Sequence, residues 1–576
     1  MNTIIPARLR PTHAAALAAL LALAATPAWS KGAPPPIDTW ICGSGAWTTG
    51  ACWSSPAPYT ASGYVHEKPW TNTRALLTTN LFHPGNVVVG YDLANPPYLW
   101  EVLADGTPFG TVTLNQTGGV LNSHQVYVGV DGTAAYTQSA GANRVYSTSF
   151  WQYGPGKLVL GDHAAGNGSY TLSGSGILEA DTETVGSAGR GSFVQSGGSH
   201  TVRGNLVIGA QAGSHGSVTL SGNGALNAGA LVVGQQGSGT FTQHGGVSKV
   251  GGNLEIGTGT GGGSGSVVLD GGALSVNGNI QIGAPGQGSA SLLVDNVVLT
   301  NGDGRTLKNA GGLHVKSAGA IDNQGTLVNV AAGLVSVLGK LDNHGMLDNE
   351  AGAHLVNEGR LLNDGVFTSA GSVQGRGSFT QLAGWSHIDG RFAQDSLSIQ
   401  GGDFFGGGVV TTDSFDNAGG VVAGGDEVDA GTLSIEGRYS QGEAATLMTL
   451  IDGSAAGQFS VLAVRGDANL QGTLEIETAD DFSFAAGQSF QVLSLSRGAL
   501  SGSFSTLRYG ALTSHGGRLA LGDDLQLALR YGSAGVELVV SSMPRPPVVA
   551  AVPEPSSWAL LGAGGVLLAW RRRRVA

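Results

Sequence analysis

A short unit recurs from about Leu158 to Gly283, and it restricts the fold more than any other feature of the chain. Two apolar residues flank one variable residue and are followed at once by glycine: Leu158-Val159-Leu160-Gly161, Leu206-Val207-Ile208-Gly209, Leu231-Val232-Val233-Gly234, Leu254-Glu255-Ile256-Gly257 and Ile280-Gln281-Ile282-Gly283. A partial copy ends in Val185-Gly186 and lacks its first apolar residue. Successive anchor glycines lie 25, 23, 25, 23 and 26 residues apart. Between them runs a second alternating signal, as in Ser192-Phe193-Val194-Gln195 and Ser217-Val218-Thr219-Leu220, each followed by a Gly-rich corner. Alternation with period two specifies strands. Such short strands cannot stand alone, so each unit must bury its apolar row against its neighbours. No helix-length segment intervenes, which excludes βαβ units. The expected fold is all-β: a right-handed parallel β-helix with one coil per repeat.

The register starts at Val126-Tyr127-Val128-Gly129, and the β-helix is expected over residues 126–430. Beyond about Gly304 the repeat changes. Gly325, Gly345 and Gly365 are spaced by 20 residues. Asn323, Asn343 and Asn363 fall in line, and so do Asn329 and Asn349. Columns of asparagine at the period of one coil predict stacked amide ladders at the corners; an exposed polar stripe for a ligand is the alternative. Residues 431–541 alternate strongly, as in Leu433-Ser434-Ile435 and Val536-Glu537-Leu538-Val539-Val540. They are expected to form a β domain that closes the solenoid.

The ends differ in texture. Arg8 and Arg10, the Ala/Leu run from Ala14 to Ala25 and Ala28-Trp29-Ser30 give residues 1–30 the form of a secretory signal peptide, to be removed by signal peptidase. Residues 31–125 hold Trp40, Trp47, Trp53, Trp70 and Trp100 and both cysteines. They are expected to form an N-terminal cap over the open coil end, whose backbone would otherwise be unpaired. In an exported chain Cys42 and Cys52 suggest one disulfide; two buried thiols are the alternative. At the other end, a linker at 542–551 leads into residues 552–576. There Pro553, Glu554 and Pro555 precede a mostly apolar segment, 557–570, expected to form a short hydrophobic helix, and then Arg571, Arg572, Arg573 and Arg574. The apolar segment is short for a span of roughly 20 residues, and the arginines act as a stop-transfer cluster that favours the cytoplasmic side.

This tripartite tail resembles the PEP-CTERM sorting signal of Gram-negative bacteria. The resemblance implies processing at Pro553, Glu554 and Pro555 by an exosortase, a membrane protease and transpeptidase. The chain would be exported across the inner membrane, anchored there transiently, and released to the outer surface or extracellular matrix. The coils from Leu158 to Gly283 resemble repeats shared by PEP-CTERM proteins and autotransporter passengers. The segment Leu433-Ser434-Ile435-Glu436-Gly437-Arg438-Tyr439-Ser440-Gln441 is similar to the domain that closes such passengers.

Composition limits the chemistry. The net charge of −12 disfavours nucleic acid as a partner. Charged residues are 12% of the chain, about half the usual share. Between Leu206 and Leu299 the sequence places Lys249, Glu255, Asp270 and Asp295 at unmatched coil positions. Asp426-Glu427, Asp480-Asp481 and Asp523-Asp524 are adjacent carboxylates that point to opposite faces of a strand, as solvated loop charges do. Glu427 and Asp429 share a face without a basic partner in sequence. Asn301-Gly302-Asp303-Gly304 reads as an Asx turn, since the remaining ligands of a calcium loop are missing. Zinc-site, nucleophile-elbow and P-loop patterns are missing too. The expected protein is therefore a structural or adhesin-like surface component associated with exopolysaccharide or biofilm, with no catalytic residue, cofactor or metal. The alternative is a carbohydrate-active β-helix enzyme, a polysaccharide lyase or hydrolase, which would gather carboxylates on neighbouring coils.

Overall fold

The computed structural model describes residues 102–106, 111–147, 154–426, 428–522 and 524–543, and the strand backbone of Ile37–Thr39, Ser44–Ala46, Arg74–Thr78, Asn86–Val89 and Tyr98–Asp105. Every regular element in it is a strand, and the strands wind into a β-solenoid of about 16 turns. Cys42, Cys52, the leader and everything from 544 onward, including the helix expected at 557–570, lie outside the described residues.

Each coil is a triangle. One late coil shows its three sides: Ala320–Asn323, Thr326–Asn329 and Leu334–Val337. Each strand pairs in parallel with the strand one coil on, at Lys340–Asn343, Met346–Asn349 and His354–Asn357 respectively. Three parallel ladders, I, II and III in that order, thus run along the molecule. The sequence unit maps onto them directly. Leu206-Val207-Ile208 belongs to ladder II and stacks on Leu231-Val232-Val233, while Ser217-Val218-Thr219-Leu220 belongs to ladder III and stacks on Thr240-Phe241-Thr242-Gln243.

Period two puts alternate residues inside. Leu206, Ile208, Val218 and Leu220 are buried, and Thr219 faces out. Rings stack along the interior. Tyr136, Tyr170 and Phe193 lie face to face with centroids 4.5 and 5.1 Å apart. Further on, Phe379, Phe392, Phe404, Phe415 and Tyr439 meet edge to face. The ring quadrupole favours edge-to-face contacts, and parallel rings when they are offset.

The anchor glycines turn the chain from ladder II toward ladder III. Gly161, Gly186, Gly209, Gly234, Gly257 and Gly283 all have φ between 60° and 74°, where only glycine is unstrained. The shift in repeat length has a local cause. In the early coils residues 209–214 link Ile208 to a six-residue strand, His215–Leu220. In the late ones residues 330–333 suffice, and the strand Leu334–Val337 has four residues.

Parallel pairing also extends beyond 126–430. Residues 101–104 lie in ladder II, continued by residues 125–128, and residues 98–99 pair with 122–123 in ladder I. Thr432–Gln441 and Thr446–Ile451 continue all three ladders. The antiparallel part lies at the far end, where Ser489–Arg497 pairs with Gly535–Ser542. Short hairpins at Thr506–Ser514 and Arg518–Gly532 complete it. This end replaces an open parallel edge with a turned-back one.

Candidate functional site

Inside the coils, polar groups are placed where they bond one another. Asn301 donates to Asn323 Oδ1 (2.7 Å), Asn323 to Asn343 (2.6 Å) and Asn343 to Asn363 (2.6 Å). Each side-chain amide also donates to a backbone carbonyl, at Thr326, Met346 and Val366 respectively. A second column runs from Asn309 through Asn329 and Asn349 to the hydroxyl of Ser369. All are buried. The asparagines are therefore corner ladders and not a stripe facing solvent.

One buried group was not singled out by the sequence. Glu183 and His200 are both sealed from solvent, and His200 Nε2 lies 2.6 Å from Glu183 Oε2. The imidazole stacks on Phe193 at 4.5 Å. Register explains the pair. Glu183 stacks between Leu158 and Leu206 in ladder II, and His200 between Leu178 and Leu226 in ladder I. Both take inward places that neighbouring coils give to leucine. The signal was present, because Glu183 is the apolar residue missing from the partial copy at Val185. Nearby, Tyr136 donates to Gln116 (2.7 Å) and Tyr170 to Gln138 (2.6 Å). Burial raises the pKa of both phenols.

The outer faces carry the accessible charge. Asp322 and Asp342 are register partners on ladder I. Asp364 follows on the third coil, and His344 lies among them, 2.7 Å from Asp364 and 3.8 Å from Asp322. Lys340 pairs with Asp342 at 2.5 Å. This acid–histidine group is spread over three coils; His163 with Asp131 and Asp162 forms a second. Asp270 and Asp295, expected at unmatched positions, are in fact direct partners on ladder III. Their spacing of 25 residues is one coil. Asp270 also accepts from Asn296 (2.8 Å). Asp480 and Asp481 are exposed in a turn, as loop charges are. Asp426 accepts from the backbone N–H groups of Asp429 and Val428, which lower its pKa. Glu427 and Asp523 lie outside the described residues. Among the described residues no helix is long and apolar enough to cross a membrane.

Pro553, Glu554, Pro555 and Arg571 to Arg574 also lie outside the described residues, so the comparison with known families bears on them alone. Residues 551–574 match the family model of the PEP-CTERM protein-sorting motif. The tail is a PEP-CTERM sorting motif. The match takes in the Pro-Glu-Pro triplet, the apolar segment and the arginine cluster, the three parts on which the sequence resemblance rested. A PEP-CTERM motif is the signal that exosortase recognises. The chain is accordingly an exosortase-sorted exported protein that is held transiently in the membrane. The PEP-CTERM tail and the β-solenoid together fit a PEP-CTERM protein with β-helix repeats. No curated protein matches the chain.

Proposed function

We propose that this PEP-CTERM protein is a non-enzymatic structural or adhesin-like component of the outer surface or extracellular matrix of a Gram-negative cell, associated with exopolysaccharide. The observation that carries the reading is the sorting motif at 551–574 on a long repetitive rod. Buried polar groups support it, because the asparagine columns serve coil-to-coil bonding. In sequence, two prolines in three residues disfavour a helix, which suits recognition of the triplet by a protease. The apolar segment holds that site at the membrane, and the arginines retain the end on the cytoplasmic side. Intact-mass analysis of protein recovered from the cell surface tests this. The expected mass lacks the tail beyond the Pro-Glu-Pro triplet. Finding Trp570 and the four arginines still attached, in cells with a working exosortase, would defeat sorting and leave a permanent anchor.

The group of Asp322, Asp342, Asp364 and His344 favours a second reading, a carbohydrate-active enzyme. Glycoside hydrolysis needs two positioned carboxyl groups, and this face offers three. Incubation with polysaccharide, scored for chain cleavage, separates the two readings. Cleavage that disappears in Asp342→Asn would establish the enzyme.

A further inference from the structure

The outer face of ladder II differs from the other two. On ladder I the outward places at consecutive coils are Lys340, Arg360, Ser378 and Ser396. On ladder III they are His354, Ser372 and Arg391, followed by Val409 as a lone exposed apolar residue. On ladder II the corresponding column reads Met346, Val366 and Trp385, then Asp403 and Val421. The column two residues further along the strand contributes His387 and Phe405, which are direct register partners. The rings of Trp385 and Phe405 stack with centroids 5.6 Å apart, and His387 leans on Phe405 at 5.0 Å. Trp385 keeps 36% of its surface in water and Met346 keeps 38%. The stripe is bounded by Thr326 before Met346 and Thr446 after Val421.

Carboxylates rim these rings. Asp403 is the register partner of Trp385. Asp389 lies 3.1 Å from His387 Nε2. Asp348 accepts from the Thr368 hydroxyl at 2.7 Å, and Asp426 is close enough to feel the charge of His387. The rim is thus acidic. Such a surface repels a polyanion. It also repels a second copy of itself, because two-fold apposition would set these carboxylates against one another. A partner without negative charge is required, with apolar faces to cover the rings and hydroxyl donors for the carboxylates. A pyranose ring has both, with axial C–H groups on its faces and O–H groups around its edge. A linear chain of such rings also matches a surface that repeats along a rod.

We propose that the outer face of ladder II, centred on Trp385, Phe405 and His387, is a binding surface for a neutral polysaccharide chain lying along the solenoid axis. The assignment rests on the exopolysaccharide association proposed above and gives it a place and a charge class. Trp385 and Phe405 supply the packing surface, and Asp403 and Asp389 accept the sugar hydroxyls.

The test is co-sedimentation of the full chain, kept soluble in mild detergent, with cellulose, an insoluble β-1,3-glucan, starch and the polyanion alginate. Retention is expected on at least one of the neutral glycans and not on alginate. It should fall at least tenfold in Trp385→Ala and further in Trp385→Ala/Phe405→Ala, and hold in Arg391→Ala on ladder III. Circular dichroism checks that the exposed-site variants keep the native fold. Undiminished retention in Trp385→Ala would overturn the site while leaving the polysaccharide association. Stronger retention on alginate would overturn the charge argument. A dimer that dissociates in Trp385→Ala would identify a second copy as the occupant and overturn the proposal. Failure to bind any neutral glycan would also overturn it; the export reading stands or falls separately, on the mass of the processed tail.

Discussion

Gly209 turns its coil with φ at 73°, and a Cβ built there would lie 2.4 Å from the carbonyl oxygen of Ser238 on the next coil. Gly213, in the same corner, has φ at 83° and nothing within 4 Å of such a Cβ. The two separate backbone strain from close packing. Gly213→Ala is expected to cost about 1 kcal/mol, the left-handed penalty alone. Gly209→Ala should cost about 3 kcal/mol or more, since the neighbouring coil must also shift. Equal melting temperatures for the two variants would show that coil contact does not hold the spacing. A histidine gives a second residue-scale test. The hydrogen bond that His163 Nδ1 donates to Asp131, at 2.9 Å, raises the pKa of the imidazole, and the charges of Asp131, Asp162 and Asp105 act in the same direction. A raised native pKa favours the protonated folded form. Its contribution is therefore complete below the unfolded value of about 6.5 and fades as pH rises through the native one. Both side chains are more than half exposed, so solvent screens the pair. NMR titration should find His163 above the ordinary value and moved down in Asp131→Asn; an unchanged titration in that variant would rule the pairing out. At this scale the sequence was only partly readable. The anchor glycines declare themselves because no other residue tolerates the corner. Glu183 and His200 do not, since each looks like a surface residue until the coil register puts both inside.

Strands and corners recur so regularly that single elements can be removed conceptually one at a time. Asn343 is the middle rung of its ladder. It accepts from Asn323, donates to Asn363 and donates to the Val366 carbonyl. Truncation to alanine orphans a buried donor on one side, and on the other a buried amide oxygen and a part-buried carbonyl. Unmet buried groups cost about 1–3 kcal/mol each, with partial relief by relaxation, so Asn343→Ala should destabilise by about 2–4 kcal/mol. Ser336→Ala, on the outer side of ladder III, should stay within about 0.5 kcal/mol. Chemical denaturation midpoints decide, and similar midpoints would mean that the amide columns are ornamental. The same regularity explains what could be read of the elements beforehand. Columns of asparagine one coil apart can be aligned by eye, and the period of 20 residues follows from them. The place where coils give way to an antiparallel end cannot be aligned in this way. Both kinds of strand alternate with period two, and Thr432–Gln441 differs from Gly535–Ser542 only in its partner. Pairing direction is settled by the connections, which for strands this short leave no compositional mark.

As a whole molecule the chain is a stack in which each coil pairs its strands with the coils beside it, so its shape follows from a count. About 16 turns at a strand spacing of about 4.8 Å give a rod of about 77 Å. Ladders II and III pair at every coil, ladder I lapses once between Ala273–Val276 and Val298–Asn301, and all three run on through Thr432–Gln441 and Thr446–Ile451. Each coil offers the same small cross-section to bury, so stability grows by nearest-neighbour interfaces and not by a growing central core. A chain with a single rounded core would scatter X-rays as a compact particle and yield one peak in its pair-distance distribution, near the middle of its range. The solenoid should instead give a distribution skewed toward short distances with a long tail, and a largest dimension of at least about 77 Å, since residues beyond the coils can only add to it. The measurement also separates the rod from a folded-back arrangement in which residues 431–541 pack beside the coils. In that case the tail would end some 15 Å short, close to the length of roughly 13 coils alone. A symmetric distribution, or a largest dimension below about 60 Å, would contradict the continuous ladders.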